Sequence, residues 1–460
     1  MSEHEQRIPM SVQTDGRAIR ALVPRSSHGE WLATSEVRDP VSIVTSQNAS
    51  RLQFLVPIRH WRMSQSPFTF YRGAAKLMAF DLASTPDSGL YAQICGDAHL
   101  SNFGVYGSPE RDLVFDLNDF DETLAGPWEW DVKRLAASFV IAARHKGLGD
   151  DLGADLAQRS AEVYRTTMRE FASAGYLDAW YAHVTTDDIY AAFKSQVSKT
   201  ERKQSKKFVR KARGKDSLRA FSKLAELVDG EYRIAAQPPL IIPLRDIPEN
   251  AGVDAEGFVR ESFRQYFDSV SDHLEPLLAR FTFKDLAVKV VGVGSVGTRC
   301  AIVLLEGRDA EDPLFLQIKE AGRSVLEDQL PPSPYAHAGQ RVVVGQRIMQ
   351  ASSDSFLGWT RDERVNVDYY WRQLKDMKSS FEVDTASVDA MGRFAQLCGW
   401  TLARAHARSG DAGAIGGYLG GGSAFDDAIG RFSVAYADQN DLDYARFRAA
   451  IESGEIPAHE

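Results

Sequence analysis

The sequence predicts an α+β protein with helices at both ends of the chain and a compact block of strands late in its middle. Three observations carry this. "WEWDVKRLAASFVIAARHKG" (128–147) spaces its apolar residues as a helix does and ends on a glycine suited to a helix C-terminus. "VDAMGRFAQLCGWTLARAHARSG" (388–410) reads the same way. Between them, "LAVKVVGVGSVGTRCAIVLLEG" (286–307) and "PLFLQIKEA" (313–321) are apolar, rich in β-branched residues and punctuated by glycine, the pattern of strands and tight turns.

The remaining elements follow in order. Residues 1–50 mix polar residues, Pro and Ser and are expected to form an extended or partly ordered arm. "FTFYRGAAKLMAFDLAS" (68–84) reads as a strand-like start passing into a helix. "LYAQICGDAHLSNFGVY" (90–106) is apolar at its ends and polar in its middle. "RDLVFDLNDFDETLAGP" (111–127) looks like a strand ending in an acidic loop. Helix continues after 147 to about residue 190. Four prolines in 235–252 mark a linker or irregular crossing, and a helix follows over 257–281. "AHAGQRVVVGQRIMQ" (336–350) reads as a helix, "VDYYWRQLKDM" (367–377) as a strand, and 424–451 as a terminal helix. The division is an arm (1–50), a helical lobe (51–285), a β-rich lobe (286–378) and helices (379–460) that return to the helical lobe.

A chain of 460 residues, 44% of them hydrophobic, can bury more than one core. A net charge of −9 exerts no global pull toward nucleic acid or an anionic membrane, so neither is expected as a partner. One segment runs against that balance: 199–215 carries nine basic residues and one acidic. It is either a solvated helix face or a phosphate-attracting surface. The three cysteines, Cys95, Cys300 and Cys398, are too scattered for a disulfide framework or zinc knuckle. No signal-peptide core or membrane-length apolar run is present, and a cytoplasmic location is expected.

Two regions carry candidate chemistry. Gly292, Gly294 and Gly297 form a G-x-G-x-x-G between two strand-like segments. A dinucleotide site needs a helix after the glycines, so this turn suits a hairpin lid over phosphates better, or simply a tight turn. Lys319 ends an apolar strand, where a buried ammonium needs a partner. Glu327 is the candidate carboxylate, with Glu320 second. The other region is "ICGDAHLSNF" (94–103) followed by "VFDLNDFDE" (114–122). Asp97 and Asn102 are five positions apart, and Asp119–Phe120–Asp121 supplies further acids. Phosphoryl transfer to a hydroxyl needs one carboxylate to orient the acceptor, and an amide oxygen with a second carboxylate to hold Mg2+. A hydrogen-bonded polar turn is the bland alternative.

"CGDAHLSNFG" followed by "NDFDETLAGPWEWDVKRL" resembles the catalytic-loop signature of the aminoglycoside and choline phosphotransferases, which share the protein-kinase-like two-lobe fold. From about residue 50 onward the chain resembles an uncharacterised bacterial family, domain of unknown function 2252, through "SPFTFYRGAA", "GQRVVVGQRIMQ" and "LARAHARSGD". The first resemblance implies that Asp97 is the catalytic aspartate, Asn102 a metal ligand, His99 a loop-ordering histidine and Asp131 the brace of the loop. It implies Asp119 as the metal aspartate by local pattern, with Asp121 assisting; hairpin length would favour Asp116. The glycine turn and Lys319 follow the catalytic loop here, where kinases place them before it, so the resemblance implies a circular permutation. The expected function is an ATP- and Mg2+-dependent phosphotransferase acting on a small molecule or a protein. Alternatives are a pseudokinase, a nucleotidyl transferase and a metal-dependent phosphohydrolase.

Overall fold

The structure is a computed structural model and describes residues 15–31, 38–196, 199–214, 217–238, 240–246, 255–289, 296–374 and 377–460. Helix and sheet are mixed, as expected for α+β. Near the N-terminal end, β1 (Tyr91–Ile94) pairs antiparallel with β4 (Leu124–Pro127), and β2 (Phe103–Gly107) pairs with β3 (Leu113–Leu117). The chain leaves β4 directly into the helix Trp128–His145, buried on every side from Trp128 to Ala143, as expected of a helix apolar over most of its surface. It packs against the helices Asp150–Ser173, Val388–Ala407 and Ala424–Glu452, and Trp128 stacks on Tyr164 at 5.3 Å. Gly147 follows with φ +70, its N–H donating to Arg144 O.

A small hairpin, β5 (Ala225–Val228) and β6 (Glu231–Ile234), precedes the main sheet. That sheet has six antiparallel strands: β7 (Ile241–Pro243), β8 (Thr282–Lys289), β9 (Cys300–Glu306), β10 (Pro313–Ala321), β12 (Val367–Gln373) and, at the far edge, β11 (Gly358–Asp362). Alternation along β10 sends Leu314, Leu316 and Ile318 into one core, with Trp371 stacked on Tyr266 at 4.6 Å. Phe315, Gln317 and Lys319 take the other face. The sheet thus begins before residue 286, because β7 comes from the proline-rich crossing. β13 (Ser379–Ser380) then adds to β2 and returns the chain to the helical part.

Three expectations are corrected. The described part of the arm is not extended: Val41 and Val44, in the helix Pro40–Ser46, bury against Phe447 and Ala450, and His28 Nε2 lies 2.7 Å from the Tyr418 hydroxyl. "FTFYRG" is helical, not strand-like. Ser66 Oγ accepts the Thr69 N–H at 3.1 Å, Thr69 Oγ1 accepts the Ser66 N–H at 2.9 Å, and Pro67 opens the helix Pro67–Gly73. This cap outweighs the strand preference of the aromatics, which are buried at helical spacing. The β-rich part also contains an edge strand, β11, that the sequence reading lacked.

Gly292 and Gly294 lie outside the described residues. Gly297 has φ +92 and its carbonyl accepts the Leu52 N–H at 2.8 Å, while Val296 O accepts Arg51 Nη1 at 2.5 Å. The end of the glycine turn is therefore seated on residues 51–52. Most of the basic segment forms the helix Lys199–Arg213, with Lys206, Lys207 and Arg210 exposed. Among the described residues, no helix is long and apolar enough to cross a membrane.

Candidate functional site

β1 delivers the chain to Gly96, where φ is +78 and a Cβ would stand 2.6 Å from Glu122 O, so only glycine fits without strain. Asp131, in the first turn of the Trp128–His145 helix, holds this bend: Oδ2 accepts the Cys95 N–H at 2.6 Å and Oδ1 the Gly96 N–H at 2.9 Å. His406 Nε2 stands 3.3 Å from Asp131 Oδ2, with Tyr164 Oη 2.9 Å from its Nδ1. Asp131 thus holds the backbone bend that precedes Asp97.

The loop then closes on itself. Asn102 Nδ2 donates to Asp97 O at 2.8 Å, and the Asn102 N–H donates to His99 O. Among the described residues no hydrogen bond reaches Asn102 Oδ1. Arg134, one helical turn beyond Asp131, donates through Nε to Asp97 Oδ1 at 2.6 Å. The guanidinium is fixed by Tyr71, whose carbonyl accepts Nη2 at 3.1 Å and whose ring lies 4.6 Å beneath it. Asp97 Oδ2 faces His99 Nε2 at 3.9 Å. His99 is buried, and burial, with Arg134 and Arg72 nearby, lowers its pKa to about 3 despite Asp97. It is neutral at physiological pH, and its Nδ1 is buried without a hydrogen bond.

The acidic run folds over the loop. Cys95 Sγ donates to Asp119 O at 3.1 Å, and Asp97 lies close enough for its charge to act on Asp119. Lys319, 3% exposed, reaches in from β10. Its Nζ is 2.6 Å from Asp121 Oδ2 and 3.8 Å from Asp119 Oδ1. Tyr370, directly across the ladder, donates to Asp121 Oδ1 at 2.6 Å. Burial alone would raise Asp119 and lower Lys319. Their mutual attraction wins, with Arg372 and Lys378 adding to it at Asp119, so Asp119 is lowered and Lys319 raised well above the usual lysine range. Burial and Arg372 lower Lys378 to about 7 against the pull of Asp119.

The fold thus brings together Asp97, His99, Asn102, Asp119, Asp121 and Lys319. Three other candidates are engaged elsewhere. Asp116 is buried in β3, where its carboxylate pairs with Arg404 and accepts the Leu117 N–H at 2.8 Å, so it is a core ion pair. Glu327 is not the partner of Lys319: it accepts the Ser324 N–H at 3.0 Å, capping its own short turn, and pairs with Arg323. Glu320 accepts from the Arg299 N–H at 2.8 Å. Among the described residues, no cluster of three or more His, Cys, Asp or Glu side chains is arranged to hold a metal ion; an Asn–Asp pair falls outside that description. A cavity of about 380 Å³ opens past Ala321, lined by Arg323, Tyr335 and Arg341 among others, and includes none of the Asp97–Asp119 group.

Arg134, Tyr370, Arg372 and Lys378 were not anticipated. Arg134 carries a local signal, three residues after Asp131 and so on the same face of the helix. The other three lie far away in sequence.

No curated protein and no solved structure matches the chain. Residues 51–450 match the family described as "Uncharacterized protein conserved in bacteria (DUF2252)", and the chain belongs to that family.

Proposed function

We propose that this chain is an ATP- and Mg2+-dependent phosphotransferase with a circularly permuted, protein-kinase-like fold. The observation that carries the reading is the meeting of Lys319 with Asp119 and Asp121 beside the Asp97–Asn102 loop. A hairpin, β8 and β9, then a lysine on the next strand, β10, and a helix, Ala338–Met349, follow one another as in a kinase nucleotide lobe. One part differs. That helix has no carboxylate, and Asp121 takes the lysine while Arg341 on the helix donates to Asp121 O at 2.7 Å. The permutation is supported where the Val388–Ala407 helix ends. Ser409 Oγ accepts the Gln93 N–H at 2.8 Å, and a Cβ on Gly410 would stand 3.0 Å from Ala92 Cβ. Joining those points would put the helix directly before the catalytic loop.

The donor set fits the cofactor. Among the described residues Asp119 Oδ1 is buried without a hydrogen bond, and Asn102 Oδ1 receives none while its Nδ2 donates to Asp97 O; both are oxygens of the kind Mg2+ takes. Asn102 and Asp119 would hold the metal, Asp121 would assist, and Lys319 would hold the phosphates. Bound Mg·ATP supplies the phosphoryl group and neutralises its charge. Asp97, with Oδ1 fixed by Arg134, presents Oδ2 to an acceptor hydroxyl, orients it and accepts its proton. Neutral His99 keeps the loop's shape.

The test is incubation with a cell extract and ATP labelled on the γ- or α-phosphate. Label transferred from the γ position, and lost with Asp97→Asn, supports phosphoryl transfer. Label from the α position means nucleotidyl transfer, and label from neither removes the enzymatic reading.

A further inference from the structure

Arg72 lies at the end of the helix Pro67–Gly73, next to Tyr71, whose carbonyl and ring fix Arg134 against Asp97. Among the described residues Arg72 makes no hydrogen bond and no ion pair, and its Nε is buried without a partner. Its one contact of note is with the Phe68 ring, 5.9 Å from the guanidinium carbon. A half-buried arginine left unpaired is costly, because the charge is partly desolvated with nothing in return.

The surrounding charges do not balance. Asp97 is the carboxylate whose field reaches Arg72, but Arg134 already occupies it through Nε at 2.6 Å and Nη2 at 2.5 Å. His99 is neutral. Two guanidinium groups therefore share one carboxylate, which leaves one positive charge in excess beside Asp97. Asp119 and Asp121 are taken up by Lys319 on the nucleotide side.

We propose that Arg72 is an acceptor-binding residue: it receives an anionic group, a phosphate or carboxylate, carried by the molecule whose hydroxyl Asp97 orients. Its planar fork suits two oxygens of such a group. The acceptor is then an acidic hydroxylated molecule rather than a neutral or cationic one. The inference rests on the placement of the reaction at Asp97.

The experiment titrates inorganic phosphate by calorimetry into the full-length protein saturated with Mg2+ and a non-hydrolysable ATP analogue, which leaves the acceptor side open. Wild-type protein is expected to bind phosphate. Arg72→Gln should weaken that binding at least about tenfold, the loss of a charge-assisted hydrogen bond, with analogue affinity unchanged. Arg72→Lys, which keeps the cation, should retain most of the binding and guards against a folding defect in the glutamine variant. Equal phosphate binding by wild type and Arg72→Gln, or none by wild type, overturns the proposal. Failure of the analogue to bind overturns the nucleotide reading instead; the same titration without analogue then decides whether Arg72 is an anion site.

Discussion

Lys319 Nζ and Asp121 Oδ2 stand 2.6 Å apart although 198 residues separate them in the chain. The ammonium is almost fully buried, whereas the side chain of Asp121 is 29% exposed. The pair is therefore a lysine delivered by the sheet to an acid at the rim of the helical part. Asp121→Asn leaves Lys319 with Asp119 at 3.8 Å and the Tyr370 ring. The expected loss is about 1–3 kcal/mol in urea denaturation. Lys319→Met, which removes the buried charge itself, should cost less stability but weaken Mg·ATP binding at least tenfold by calorimetry.

Asp116 and Asp119 are three residues apart and should separate cleanly by variant. Asp116→Ala strands the fully buried Arg404 and should destabilise by about 3–5 kcal/mol. Asp119→Asn should alter stability little, since 35% of its side chain is open, but should abolish the Mg2+ dependence of nucleotide binding. The two variants are compared by denaturation and by nucleotide titration across a range of Mg2+ concentrations.

The same pair marks a limit of sequence reading. The loop from Asp97 to Asn102 was legible as a unit because its hydrogen bonds are local: six residues closed on themselves and held by Asp131 in the first turn of the next helix. Asp116 and Asp119 sit in one apolar–acidic run, and nothing within it says that Arg404, on a helix near the other end of the chain, claims the first. Glu327 looked available to Lys319, yet a Ser-x-x-Glu cap absorbs it locally. "FTFYRG" misled in the same manner, with Ser66 and Thr69 closing a helix over residues that favour strands.

Asp131 receives two backbone N–H groups in the bend before Asp97. Asp131→Ala leaves both buried donors unsatisfied and should cost about 2–5 kcal/mol, read from the denaturation midpoint. Asp131→Asn, which keeps one acceptor oxygen, should lose roughly half as much. Loss of activity at unchanged stability would show that the brace does more than hold the bend.

Lys378 should make nucleotide binding depend on pH. Its folded pKa of about 7, against an ordinary 10.5, means that it sheds its charge as pH rises through 7. If the site binds Mg·ATP as proposed, loss of this cation beside Asp119 should lower its affinity across that range. Lys378→Arg, charged throughout, should flatten the profile. On stability the sign is opposite. Between pH 7 and 10.5 the unfolded chain binds more protons at this group, so its contribution to stability rises with pH.

The central claim is that Asp97, Asn102, Asp119 and Lys319 form one nucleotide–metal cleft, and thermal melting with added ligand tests it most directly. ATP with Mg2+ should raise the melting temperature of the wild-type protein through binding linkage. Mg2+ alone should leave it unchanged, and the shift should disappear in Lys319→Met and in Asp119→Asn. A wild-type protein whose melting temperature is indifferent to ATP with Mg2+, or whose shift survives both substitutions, would contradict the account.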